Sequence, residues 1–266
     1  MKKKLLNILT IALVLSFSSA YAGTDGNESL SKSSSNEPTK ECFEKTSRAI
    51  FKFNQGLDKS LFKPIAKGYL KLPKPVKKAS GNFVNNLSSL LTLPNNLLQG
   101  DVEGAGNTLG RFLLNSTVGV FGLFDPASSL GAKPNSREDF GQTLGVHGVE
   151  TGCYFILPVL GPTTARDFVG KIGDTLLDPV YMVTKGDSEI FNRSYSEHNY
   201  YYYKGLDATD FRSKNVSTFD NLETNSIDLY ASVKSLYLQN RNQKISNSKE
   251  KTETLDDSDW QEIDNQ

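Results

Sequence analysis

Apolar residues recur at helical spacing along most of this chain, and no segment keeps the period-two alternation of a strand. Phe43, Ile50, Phe53, Leu57 and Leu61 fall three, four or seven apart and predict a helix that Lys63-Pro64 ends or kinks. After a short piece over 65–72, Val76, Ala79, Phe83, Leu87 and Leu90 predict a second long helix, closed at Leu93-Pro94. Asp101 is a good N-cap for a third, with Val102, Ala105, Leu109, Phe112 and Leu113 on one side. Gly104, Gly106 and Gly110 fall on the other, a strip of small residues that suggests close helix packing. Thr163 caps a later helix whose apolar face is Ala165, Phe168, Val169, Ile172 and Leu176. One or two more helices follow between Asp207 and Ile245.

Between the third helix and the one after Thr163 the pattern changes. Val118–Phe124 and Tyr154–Leu160 are apolar runs broken by Gly and Pro, both shorter than the ~20 residues that cross a bilayer. Asp125-Pro126 and Glu138-Asp139 between them look like helix starts. Such pieces suit a protein that enters a membrane part-way better than one that folds only in water.

The ends differ in composition. Lys2–Lys4, the apolar Leu5–Phe17 and Ala20-Tyr21-Ala22 have the form of a cleaved export signal over 1–22. Residues 23–40 are polar and predict a disordered leader, and 246–266 form an acidic tail carrying Trp260. Residues 41–245 form the helical domain. Net charge is zero, so nothing in the total points to nucleic acid. Cys42 and Cys153 pair or stay as buried thiols; the sequence leaves both open. Neither directly follows the signal, so no lipoprotein-type cysteine is expected.

Eight lysines between Lys52 and Lys78 face only Asp58 as counter-charge. They form a solvated surface or one that meets anionic headgroups. Tyr195 and Tyr200–Tyr203 read either as an interfacial belt or as a half-buried helix end. Catalytic chemistry is thinly represented. His147 and His198 are the only histidines, and no HExxH, CxxC or GxSxG is present. Ser60-x-x-Lys63 lacks its partner motifs, and Asp125, Asp139 and Asp167 are explained as caps and first-turn charges. Neither a metal nor a cofactor is expected.

From Gly110 to Gly119 the chain, GRFLLNSTVG, resembles the MlaA (VacJ) family of Gram-negative outer-membrane phospholipid-transport proteins. The resemblance continues through Gly122–Ala127, Glu138–Val146, Leu157–Thr163 and Arg166-Asp167, and upstream through Ile50–Asn54, Lys63–Tyr69 and Asn95–Gly100. It covers roughly Cys42 to Ile245. The family implies an all-α fold, a compact multi-helix ring of short Gly/Pro-broken helices around an amphipathic channel. It implies non-catalytic phospholipid transport from the outer leaflet toward a periplasmic carrier protein, a seat in the inner leaflet of the outer membrane, and association with a trimeric porin. The alternative is an exported membrane scaffold or adhesin that moves no lipid. By motif position Phe43, Arg48, Phe53, Asn54, Val118, Phe121, Leu123, Phe124, Phe140, Phe155, Leu157 and Pro158 are expected to line the channel or seat the protein. Lys63, Lys67, Arg111 and Arg166 are expected to face headgroups. Three features depart from the family: the missing lipidation cysteine, the segment Cys42–Arg48, which keeps only an aromatic and an Arg of the family's GFNR, and the long acidic tail.

Overall fold

The computed structural model describes residues 39–246, apart from 186–188, 191–192 and 195–196. The export signal, the leader, Tyr195, the acidic tail and Trp260 therefore lie outside the described residues. The described part is mostly helical: α1 (Glu44–Leu57), a π turn (Asp58–Phe62), α2 (Lys63–Leu70), α3 (Lys74–Leu98), α4 (Val102–Thr117), α5 (Pro126–Ser129), α6 (Phe140–Val146), α7 (Ala165–Leu177), α8 (Pro179–Lys185), α9 (Glu197–Lys214), α10 (Val216–Asn225) and α11 (Leu229–Ile245).

Caps were legible and breaks were not. Asp101, Asp125 and Asp139 each accept a backbone N–H from three residues on, at 2.8, 3.2 and 2.9 Å. Thr164 rather than Thr163 caps α7, accepting from the Asp167 N–H. At Pro64 the chain does not break. The Lys63 N–H reaches back five residues to Asp58, and this wider turn absorbs the ring that would clash with the preceding turn. Pro94 does not close α3 either. Asn95 and Asn96 in the next turn are buried, with Asn96 donating to Thr108 and Asn95 accepting from Thr143. These side-chain bonds carry the helix on to Leu98, and Gly100 at φ +78° ends it.

The apolar run after Cys153 is a hairpin, a departure from the purely helical expectation. β1 (Tyr154–Leu157) pairs antiparallel with β2 (Gly161–Thr164), Tyr154 opposite Thr164. Four residues per strand are too few for a period-two signal. A two-residue pair, β3 (Glu189–Ile190) with β4 (Arg193–Ser194), follows α8.

Cys42 and Cys153 form a disulfide, with Cα atoms 5.6 Å apart, which resolves the open alternative. It staples the entry to α1 onto β1, where the Tyr154 N–H also donates to the Lys40 carbonyl at 2.9 Å. Closing a loop this long removes much of the unfolded chain's freedom. The double variant Cys42→Ser/Cys153→Ser is expected to lose about 2–5 kcal/mol in denaturant unfolding, and an unchanged midpoint would contradict the account.

Burial runs opposite to the usual sense. Among the described residues the buried apolar side chains are few: Val84 with Tyr200 and Tyr203, and Tyr154 with Ile156 and Tyr230, form the two clusters. Far more of the interior is Asn, Ser, Thr, Gln, Asp and Arg. The faces expected to be buried point outward. On α7 Phe168, Val169, Ile172 and Leu176 are exposed while Arg166, Asp167 and Gly170 are buried. On α4 Val102, Leu109 and Leu113 are exposed, and Ala105, Thr108 and Asn115 are inside. Nor does the glycine strip meet another backbone: Cβ atoms on Gly106 and Gly110 would have nothing within 4 Å.

Candidate functional site

The inward polar faces of α3 and α4 enclose a cleft. Asn82, Asn85, Asn86 and Ser89 recur every three or four residues on α3, so they share one side of that helix. Arg111 and Asn115 face them from α4, and Asp125 and Ser128 from the start of α5; the cleft measures about 300 Å³. It shares Asn82 and Asp125 with a larger cavity of about 580 Å³. Val118, Leu123, Phe124 and Pro126 form the apolar wall of that cavity, and Lys74 and Lys78 stand on its α3 side. The site is therefore amphipathic: a polar passage adjoining an apolar vestibule. On its other face α3 places Phe83, Leu87 and Leu90 against α8 and α9 in an apolar cavity of about 630 Å³.

Asp125 organises the polar passage. It accepts from Arg111 at 2.8 Å, from Asn115 at 3.0 Å and from the Ser128 hydroxyl at 2.6 Å, besides capping α5. Burial opposes its ionisation, but the hydrogen bonds from Ser128 and Asn115 and the Arg111 charge outweigh it and hold the carboxyl below its usual range. Arg137 bridges Asp207 at 2.7 Å and Asn85 at 2.6 Å, tying α9 to the passage. Asn86 donates to Ser116 at 2.9 Å.

The vestibule wall is a strained loop. Val120 and Phe121 have φ of 53° and 57°, a region that β-branched and bulky residues rarely adopt, and both side chains are exposed. Gly122, at φ +87°, lets the loop lie on α3; a Cβ there would stand 2.5 Å from the Asn86 Cβ. Gly122→Ala is expected to lift the loop and lower stability by about 1–3 kcal/mol, read by thermal unfolding. A variant as stable as the parent would mean that the loop does not rest on Asn86.

The sequence-predicted positions fall into separate groups. Val118, Leu123 and Phe124 line the vestibule, and Arg111 lines the passage. Phe121 lies exposed at the same loop's tip. Asn54, Leu157 and Pro158 meet at the hairpin instead, while Phe53 is exposed on α1. Asn54 donates to the Leu157 carbonyl and accepts from the Val159 N–H, both at 2.8 Å, and so pins a turn in which Val159 has φ 67°. Phe155 packs on Phe168 with ring centroids 5.9 Å apart. Phe140 lies between α6 and α7, against Gly173. Phe43 is exposed at the α1 N-cap, and Arg48 pairs with Glu44 and Asp228 over the Tyr230 ring.

Of the four basic positions expected at headgroups, two are occupied internally. Arg166 is buried against Asp167, and Arg111 is held by Asp125. Lys63 pairs with Asp220 at 2.7 Å; Lys67 is exposed.

One polar centre escaped the sequence reading. Arg241 of α11 donates to Asp139 at 2.6 and 2.9 Å and to Asp167 at 3.0 and 2.8 Å, joining the cap of α6 to the first turn of α7. Tyr237 adds a bond to Asp167 at 2.5 Å. Burial works against Asp139, but the bonds and charge of Arg241 hold it at about 2. Burial pushes nearby Asp174 up to about 6, although it accepts the Phe140 N–H at 2.9 Å. The only trace of this centre in the sequence is an acidic cap and an acidic first-turn residue that need a cation, with nothing to say which. No group of metal-ligating side chains occurs among the described residues, and no described helix is long and apolar enough to cross a membrane.

Polar groups turned inward, with large apolar side chains turned outward, define a class of helical proteins with inverted burial. The particular family follows from comparison. The chain belongs to the MlaA lipoprotein family, whose model matches residues 39–244. A Haemophilus influenzae protein named intermembrane phospholipid transport system lipoprotein MlaA is 29% identical over 96% of this chain and 98% of its own. The Escherichia coli protein of that name is 34% identical over 48% of this chain and 52% of its own. A Rickettsia bellii protein without an assigned function is 36% identical over 75% of this chain and 74% of its own. A chain solved in work on the structural basis for maintenance of bacterial outer membrane lipid asymmetry superposes with TM-score 0.63 at 26% identity, covering 77% of this chain and 98% of that one.

Proposed function

We propose that this chain is a non-catalytic phospholipid conduit at the outer membrane. It takes phospholipid from the outer leaflet through the cleft between α3, α4 and the 118–124 loop and passes it toward a periplasmic carrier, which maintains lipid asymmetry. The observation that carries this reading is the inverted burial. Exposed Phe, Leu and Val surround a passage of Asn, Ser, Arg and Asp. A phospholipid needs that pairing, because its headgroup loses several kcal/mol if stripped of polar partners while its tails gain from apolar contact. The named transport function of the Haemophilus and Escherichia relatives supports it.

The finer parts of the proposal are a seat in the inner leaflet on the periplasmic side, a ring-like enclosure of the channel, a trimeric porin as neighbour and export by a cleaved signal. Attachment rests on the outward apolar faces, at ~25 cal/mol per Å² withdrawn from water. The test is deletion of the gene in its own bacterium, followed by labelling of surface-exposed phospholipid. More outer-leaflet phospholipid, reversed by a plasmid copy, is the expected result. An unchanged outer leaflet would favour the scaffold alternative.

A further inference from the structure

Resting on the conduit reading, we propose that Lys74 and Lys78 form the entry site for the phosphodiester of the lipid headgroup. Both ammonium-bearing side chains are exposed and stand four residues apart on α3, so they present to one side of the helix. That side borders the vestibule, opposite Val118, Leu123 and Phe124. Neither lysine has a carboxylate partner among the described residues. Asp125, the acid on the same cavity, already spends its oxygens on Arg111, Asn115 and Ser128. The vestibule therefore keeps a positive field facing an apolar wall, which is the arrangement a phosphate joined to acyl chains requires.

The position of the lysines supports the same assignment. Lys74 opens α3 and Lys78 follows a turn later, and this first turn carries no acidic residue. Positive charge at a helix N-terminus opposes the helix dipole, so these residues act against the stability of α3. Lys77 between them is differently employed, donating to the Leu70 carbonyl at 2.8 Å. A bound anion would reverse the sign of that interaction and gain from the dipole as well. Functional sites are where such local conflicts are expected. Beyond the lysines, Asn82 and Asp125 lead on, so the headgroup moves from unpaired cations to asparagines and the mutually paired Arg111 and Asp125.

The assignment differs from the positions the motifs suggested. Arg111 and Arg166 are held internally, and Lys63 is paired, whereas Lys67 is exposed but is not among the residues lining the vestibule.

The experiment titrates full-length protein in detergent by calorimetry with dihexanoylphosphatidylglycerol, dihexanoylglycerol and inorganic phosphate. The Lys74→Gln/Lys78→Gln variant is compared with the parent and with Lys40→Gln/Lys45→Gln, a change of equal charge at exposed positions off the vestibule. The expected result is an affinity for the phospholipid lowered about 10- to 30-fold in the first variant only. Its affinity for the uncharged diacylglycerol should stay unchanged. Equal phospholipid binding by parent and variant would overturn the lysine site and leave the conduit reading standing. Equal losses in both lysine variants would reduce the effect to overall charge, and a matching loss for dihexanoylglycerol would make it structural; either overturns the proposal. Inorganic phosphate that binds as tightly as the lipid would assign the site to free phosphate instead. A parent that binds neither lipid would count against the conduit reading itself.

Discussion

Phe121→Glu combined with Leu160→Glu is expected to release the protein from membranes. Both side chains stand at the tips of apolar loops, 77% and 67% exposed, and each loop holds a non-glycine residue at positive φ. In water that strain and that exposure would be selected against; in a leaflet the exposed side chains are the contact. A carboxylate at hydrocarbon depth costs about 2–3 kcal/mol, and the lost apolar contact adds to it, so partitioning into phospholipid vesicles should fall on the order of 10³-fold. Flotation of the purified protein with vesicles reads this directly. Lys45→Glu with Thr46→Glu, at exposed polar positions of α1, serves as the control and should float as the parent does. A double loop variant that still floats fully would mean these tips do not seat the protein.

Arg241→Met should be the most destabilising single change among the described side chains. The guanidinium is mostly buried, and it serves Asp139 and the fully buried Asp167 together. Removing it leaves Asp139 without its cation and Asp167 with Arg166 alone at the junction of α6, α7 and α11, at a cost of about 3–5 kcal/mol. That corresponds to a fall in Tm on the order of 10 °C for a domain of this size. The acid limb changes too. Asp139 is held at about 2 when folded, below its ordinary value, so its stabilisation is present above the unfolded carboxyl range and is lost as pH falls toward 2. The parent should therefore lose stability steeply between about pH 4 and 2, and the variant less so. An unshifted Tm at neutral pH would show that the network contributes nothing.

Local signals survived the passage from sequence to structure, and facing signals did not. The caps at Asp101, Asp125 and Asp139 are decided within one turn, so the sequence alone places them. The apolar stripe of α7 was equally plain, but not the direction in which it points. Periodicity reports that a helix has two faces, while the surrounding medium decides which one is inside. Arg111 and Arg166 look like free cations in the sequence because their partners, Asp125 and Asp167, had already been explained as helix-start residues. The disulfide and Arg241 join positions far apart in the chain, and no local rule connects them. The vestibule itself was half legible. Val118, Leu123 and Phe124 came from motif position, but no motif or spacing singled out the asparagines of α3 that form the facing passage.

The account stands or falls on whether phospholipid enters the passage between α3 and α4. A photoreactive amino acid placed at Asn85 or Ser128, both lining it, tests this in living cells. The account predicts covalent phospholipid adducts at both positions, identified by mass spectrometry, and none at exposed Thr46 on α1. Passage positions that capture no phospholipid under illumination that labels exposed Phe121 would contradict it.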